Sequence, residues 1–200
     1  PDAPWTALIA SGGVVAAGGS DGVVRLSSDA GAHWSRPLPL PASQPVASLA
    51  IFGGSALAAS DSGVWRLSVP DSTWKIFPLP AAGSFKVLGS GPNAMLIATE
   101  SHLWRMRPNG SYDDLSAGIP INKITGLWII DDRAFAYTSD GYLRIWDAGN
   151  SAWVSIRKFD RHIVSLAGSQ NCLAATTYMG FYVSDDWGAT WNGNWRSWIG

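Results

Sequence analysis

Short apolar runs alternate along the chain with glycine or polar turns, and the alternation itself repeats. Five segments fall into register: 14–34, 56–74, 94–115, 134–153 and 172–191. They close on Trp34, Trp74, Leu115, Trp153 and Trp191, at intervals of 40, 41, 38 and 38 residues. Each copy opens with small or branched apolar residues, as in Ala7-Leu8-Ile9-Ala10 or Ile163 to Ala167. A tight turn follows (Gly12-Gly13, Gly53-Gly54, Asp131-Asp132), then a second run such as Val14 to Ala17 or Phe135-Ala136-Tyr137. Next comes a hairpin signal. In Ser20-Asp21-Gly22 and Ser139-Asp140-Gly141 a glycine stands where positive φ is needed. A third run (Val23 to Leu26, Val64 to Leu67, Leu103 to Met106, Tyr142 to Ile145, Phe181 to Val183) and a fourth strand, led by tryptophan in most copies, complete the unit.

Four short strands per repeat of about forty residues is the length of one β-propeller blade. The pattern therefore predicts an all-β chain: a β-propeller of five four-stranded antiparallel blades forming one domain over 1–200. The blades fall at about 5–40, 46–80, 84–120, 123–158 and 162–198. No window shows a capped i, i+3, i+4, i+7 apolar stripe, and the glycines fall inside any helix one could draw. Prolines at 37, 39, 41, 45, 78, 80 and 120 stiffen the crossings between blades, where no ladder donor is needed. Blade one reads as complete from Trp5 to Leu40 and blade five from Ile163 to about Trp198, so closure by side-chain packing is expected. The small residues Ala7, Ala10, Ala47, Ala50, Gly89, Gly126, Ser165 and Ala167 suit the narrow centre of such a ring. The alternative is five blades of a larger propeller.

Two turns between third and fourth strands carry a specific signature. Ser27-Ser28-Asp29-Ala30-Gly31-Ala32-His33-Trp34 and Ser184-Asp185-Asp186-Trp187-Gly188-Ala189-Thr190-Trp191 both fit Ser-x-Asp-x-Gly-x-x-Trp. This resembles the bacterial neuraminidase repeat, or Asp-box, family of propellers. Serine and aspartate oxygens can satisfy turn N–H groups, glycine can take the strained backbone position, and tryptophan can anchor the hairpin. Ser68 to Trp74 is one residue short of the motif, Trp146 to Trp153 keeps only the tryptophan, and Arg107 to Leu115 keeps almost nothing. The resemblance implies that Ser27, Asp29, Gly31, Trp34, Ser184, Asp186, Gly188 and Trp191 are structural residues on the outer rim, away from any site.

The same family includes sialidases and other glycoside hydrolases. Sialidase-like catalysis needs clustered arginines, a tyrosine–glutamate pair and an acid–base aspartate. Family sialidases resemble one another in an Arg-Ile-Pro segment ahead of the first box, whereas Pro4 to Ala10 contains no arginine and Glu100 is the only glutamate in the chain. Phosphate-loop, His-Glu-x-x-His and Gly-x-Ser-x-Gly signatures are also missing, and His33, His102 and His162 occupy unrelated places in their blades. The expectation is no catalytic residue, no metal and no cofactor. Cys172, in an apolar run, reads as an inert core thiol. A net charge of -1 gives no pull toward nucleic acid, and no stretch is apolar enough to span a bilayer.

One polar pattern recurs. Asp21, Asp61, Glu100 and Asp140 occupy equivalent turns between second and third strands. Arg25 and Arg144 follow four residues later, Arg66 and Arg105 five later. Such turns crown one face of a propeller, so these residues are candidates for ligand or partner binding, with hairpin formation as the plainer role. Trp187, Trp195 and Trp198 are aromatic candidates for stacking on a sugar or anchoring a protein. Together these features predict a non-catalytic binding or assembly scaffold that recognises a protein partner. A lectin-like propeller or a domain of a glycoside hydrolase is the alternative. With Pro1 and not methionine in first place, a removed leader and an extracellular or periplasmic location are expected.

Overall fold

Among the described residues twenty strands form five antiparallel sheets, one for each repeat. The computed structural model describes residues 3–41, 43–68, 72–80, 85–91, 93–178 and 180–194. Blade one holds β1 (Trp5–Ser11), β2 (Val14–Gly19), β3 (Val23–Ser27) and β4 (Leu38–Pro39). Blade two holds β5 (Ser48–Phe52), β6 (Ser55–Ser60), β7 (Gly63–Ser68) and β8 (Thr73–Ile76). Blade three holds β9 (Phe85–Ser90), β10 (Met95–Thr99), β11 (Leu103–Met106) and β12 (Tyr112–Asp114). Blade four holds β13 (Ile124–Ile130), β14 (Arg133–Thr138), β15 (Tyr142–Asp147) and β16 (Ala152–Lys158). Blade five holds β17 (Ile163–Ser169), β18 (Cys172–Thr177), β19 (Gly180–Ser184) and β20 (Asn192–Asn194). In every sheet the strands lie in chain order, and among the described residues the one helical element is a single 3-10 turn, Ile121–Lys123. The chain is an all-β, five-bladed β-propeller.

The sheets form because each strand has two usable faces. Side chains alternate across a strand, so one set packs on the preceding blade and the next set on the following one. Leu49 and Ala58 of blade two join Ala16 and Val24 of blade one. Their chain neighbours Ala50 and Leu57 join Leu88, Ile97 and Trp104 of blade three. Leu96 and Leu103 meet Leu127 and Ala136 of blade four. Phe135 and Tyr137 meet Leu166, Leu173 and Ala175 of blade five. A strand covered on both faces is buried at every position, and β6 and β10 are.

The end blades differ. In β18 burial alternates, with Leu173 and Ala175 covered and Cys172 and Thr176 open. The expectation that Cys172 lies in the core is therefore wrong: its thiol is exposed, because β18 turns that face away from blade four. The expected side-chain closure between blades one and five is likewise not among the apolar seams of the described residues, all of which join chain-consecutive blades.

At the centre the blades approach within backbone contact. A Cβ added at Gly89 of β9 would lie 2.7 Å from the Leu127 carbonyl oxygen of β13. Backbone cannot yield as a flexible side chain can, so overpacking here separates two blades. We expect Gly89→Ala to lower stability by about 1–3 kcal/mol, read as a drop in the urea midpoint of unfolding.

Candidate functional site

The recurrent acidic turns do not form one constellation. Asp21 caps its own hairpin, accepting the Val23 N–H at 3.0 Å. Asp61 and Glu100 stand exposed at their turns. Asp140 accepts from Thr138 Oγ1 at 2.5 Å and lies 3.5 Å from Arg144 and 3.9 Å from Lys123. The Thr138 hydroxyl, first of all, and the Arg144 guanidinium hold the Asp140 carboxyl below the usual carboxylate range. Arg144 itself is buried and also donates to Thr138 Oγ1.

The arginines separate for a reason already present in their spacing. Arg144 pairs in register with Ala136 on the face turned toward the preceding blade, and Arg25 with Ala17 on the matching face of blade one, turned away from blade two. Arg66 and Arg105 come one residue later and pair with Leu57 and Leu96, on the faces turned toward the following blade. One residue reverses the face of a strand. Their partners differ accordingly. Arg66 donates to Ser55 Oγ at 3.0 Å, while Arg105 and Arg107 converge on Asp113 at 3.0 and 2.9 Å.

The two Ser-x-Asp-x-Gly-x-x-Trp turns have the same internal wiring. Ser27 Oγ donates to Asp29 Oδ1 at 2.7 Å and accepts the Gly31 N–H at 2.8 Å. Ser184 Oγ does the same with Asp186 at 2.8 Å and Gly188 at 2.7 Å. Each aspartate then takes the N–H two residues beyond its glycine, His33 at 2.9 Å and Thr190 at 2.8 Å. Gly31 and Gly188 sit at φ +97° and +92°. His33 Nδ1 lies 2.7 Å from Asp29 Oδ2, inside the turn. These hydrogen bonds, from His33 for Asp29 and from Thr190 for Asp186, bring both carboxyls down to about 2. An aspartate whose lone pairs are committed this way shapes a loop and has no proton to give near neutral pH.

Trp187 is half-buried at the seam of blades four and five. It stacks on Phe135 with centroids 6.3 Å apart, and the Arg133 guanidinium carbon lies 4.5 Å from its ring centre. It is thus a packing residue more than an open platform. Trp195 and Trp198 lie outside the described residues.

Two concavities gather apolar and cationic groups. One, of about 740 Å³, lies on the face of blade one turned away from blade two, lined by Trp5, Leu8, Ala17, Val23, Arg25 and Trp34. The other, of about 580 Å³, opens where blades two and three meet. Its floor is Leu57 and Met106, both buried; Phe52, Phe77, Leu79 and Tyr112 wall it, and Arg66 lines it. Tyr112 donates its hydroxyl to the Pro78 carbonyl at 3.0 Å, tying the connector to blade three. Partial burial raises the Tyr112 pKa, so the hydroxyl keeps its proton. Phe77-Pro78-Leu79-Pro80 reads as a stiff connector, and only packing reveals it as a wall. Among the described residues no three His, Cys, Asp or Glu side chains gather closely enough to hold a metal ion, and no helix is long and apolar enough to cross a membrane.

No family profile and no curated protein matches the sequence. Solved structures do match in fold. The computationally designed Ika8 protein superposes with a TM-score of 0.71 at 18% identity, over 95% of this chain and 61% of its own. YCF48, solved bound to a D1 peptide, gives 0.69 at 18%, over 96% and 67%. The extracellular domain of the BT4673 one-component system of B. thetaiotaomicron gives 0.73 at 10%, over 96% and 28%. This chain therefore spans about three-fifths of the first and two-thirds of the second. At these identities the likeness establishes the β-propeller fold.

The Asp29 and Asp186 carboxyls make a pH signature. A carboxyl with a folded pKa of about 2 and an unfolded value near 3.9 stabilises the fold fully above the unfolded value, and that contribution is lost as pH falls through the folded one. Urea midpoints should therefore fall between about pH 4 and pH 2. The fall should be shallower in the Asp29→Asn, Asp186→Asn double variant, checked by urea titrations across that range.

Proposed function

We propose that this propeller is a non-catalytic binding module of the Asp-box repeat type, working outside the cytoplasm, that docks an extended segment of a protein partner between blades two and three. The observation that carries this reading is the groove itself. Buried Leu57 and Met106 give it an apolar floor, aromatic and proline walls give it shape, and Arg66 supplies a cation beside them. An apolar side chain gains by leaving water for such a floor, and a carboxylate one or two residues away would meet the guanidinium in a charge-assisted hydrogen bond. Arg66 is held by Ser55, so part of the ordering cost is met before a partner arrives. The two identically wired turns support the repeat type, and their committed aspartates support a structural role for them. The peptide held by YCF48 and the extracellular place of the BT4673 domain, both on the same fold, favour this reading over a hydrolase.

The test is a calorimetric titration with a synthetic peptide library that pairs a large apolar residue with a nearby carboxylate. We expect saturable binding that Arg66→Ala and Tyr112→Ala each weaken by about 5- to 30-fold, as interface anchors do. Binding indifferent to both substitutions, or saturable binding of sugars and not of peptides, would replace this reading with the lectin alternative.

A further inference from the structure

Among the described residues the two end faces of the propeller are built as blade seams and have no blade on them. Blade one turns Leu8, Ala17, Val23 and Arg25 away from blade two, and Leu8 is 71% exposed. This is the face that, in blade four, carries Leu127, Ala136 and Arg144 and is buried against blade three. Blade five turns Ala167, Cys172, Ala174, Phe181 and Val183 away from blade four, with Phe181 49% exposed. The large concavity beside Trp5 and Trp34 opens on this same face of blade one.

The closing tryptophans share one direction of contact. Trp74 of blade two donates its indole N–H to the Leu38 carbonyl of blade one at 3.3 Å. Trp153 of blade four donates to the Leu115 carbonyl, just beyond β12 of blade three, at 2.7 Å. The Trp191 ring meets Phe159, just beyond blade four, with centroids 5.4 Å apart. Each of these tryptophans grips the blade before its own. Trp34 holds the same place in blade one, lines the open concavity and is 43% exposed.

From this we infer that the five blades are an arc of a larger propeller, and that the faces of blades one and five are covered by two to three further four-stranded blades of the same polypeptide. The size follows from the superpositions. Chains that match these five blades over nearly their whole length, yet are only 61% and 67% covered, have room for about two to three more forty-residue units. A second copy does not fit the gap, because two arcs of three-fifths of a ring exceed one ring. Single-chain continuation also accounts for the unlike chemistry of the two faces, which a two-fold dimer would not need.

The coding frame on either side of these 200 codons, and the two proteins it yields, decide the matter. We expect the frame to hold two or three more units of about forty residues. Cys172, the only cysteine, is the reporter. Its alkylation by iodoacetamide in the folded 200-residue chain should run near the rate of the unfolded chain, and at least about tenfold slower in the extended chain, where a blade covers β18. Light scattering should find the 200-residue chain monomeric in dilute solution. A frame without such units, equal Cys172 rates in both proteins, or a 200-residue dimer with protected Cys172 would each overturn the inference. None of these outcomes touches the groove between blades two and three.

Discussion

The seam between consecutive blades is the contact on which everything else here depends. A single four-stranded sheet with apolar residues on both faces cannot keep them from water alone. Standing the sheets side by side lets Leu49 face one neighbour and Ala50 the other, and both become buried. The requirement fixes composition too. Where backbones converge, as at Gly89 against Leu127, only a residue without a side chain fits.

The seam also governs where polar chemistry ends up. Arginines on the third strands take whichever face their position in the pleat assigns, so Arg144 is buried beside Thr138 while Arg66 reaches the edge of an open groove. The turn carboxylates, by contrast, are spent locally. Asp29 and Asp186 bond to their own loops, and Asp21 to its own hairpin. The groove lies where a seam splays open near its proline connector, with buried Leu57 and Met106 as its floor and Arg66 at its edge. A propeller seam that opens slightly thus leaves a groove without any dedicated loop.

Much was legible in the sequence because the information is local and repeated. The forty-residue period, the hairpin glycines and the Ser-x-Asp-x-Gly-x-x-Trp turns each depend on residues close in the chain, and the five sheets of four strands follow from them. The site was less legible. Asp21, Asp61, Glu100 and Asp140 share a place in the repeat and little else, since equal place does not mean equal partner. The groove draws Phe52, Phe77, Met106 and Tyr112 from distant stretches, and no local pattern links them.

By itself, then, the sequence determined the element type, the repeat and the internal structure of its turns, because those rest on φ preferences, side-chain period and bonds within a few residues. Only the tertiary structure decided which face of each strand meets a neighbour, that Cys172 looks outward, and that the blade-two and blade-three walls enclose a groove. These depend on how one sheet is set against the next, and that relation is written in no single blade.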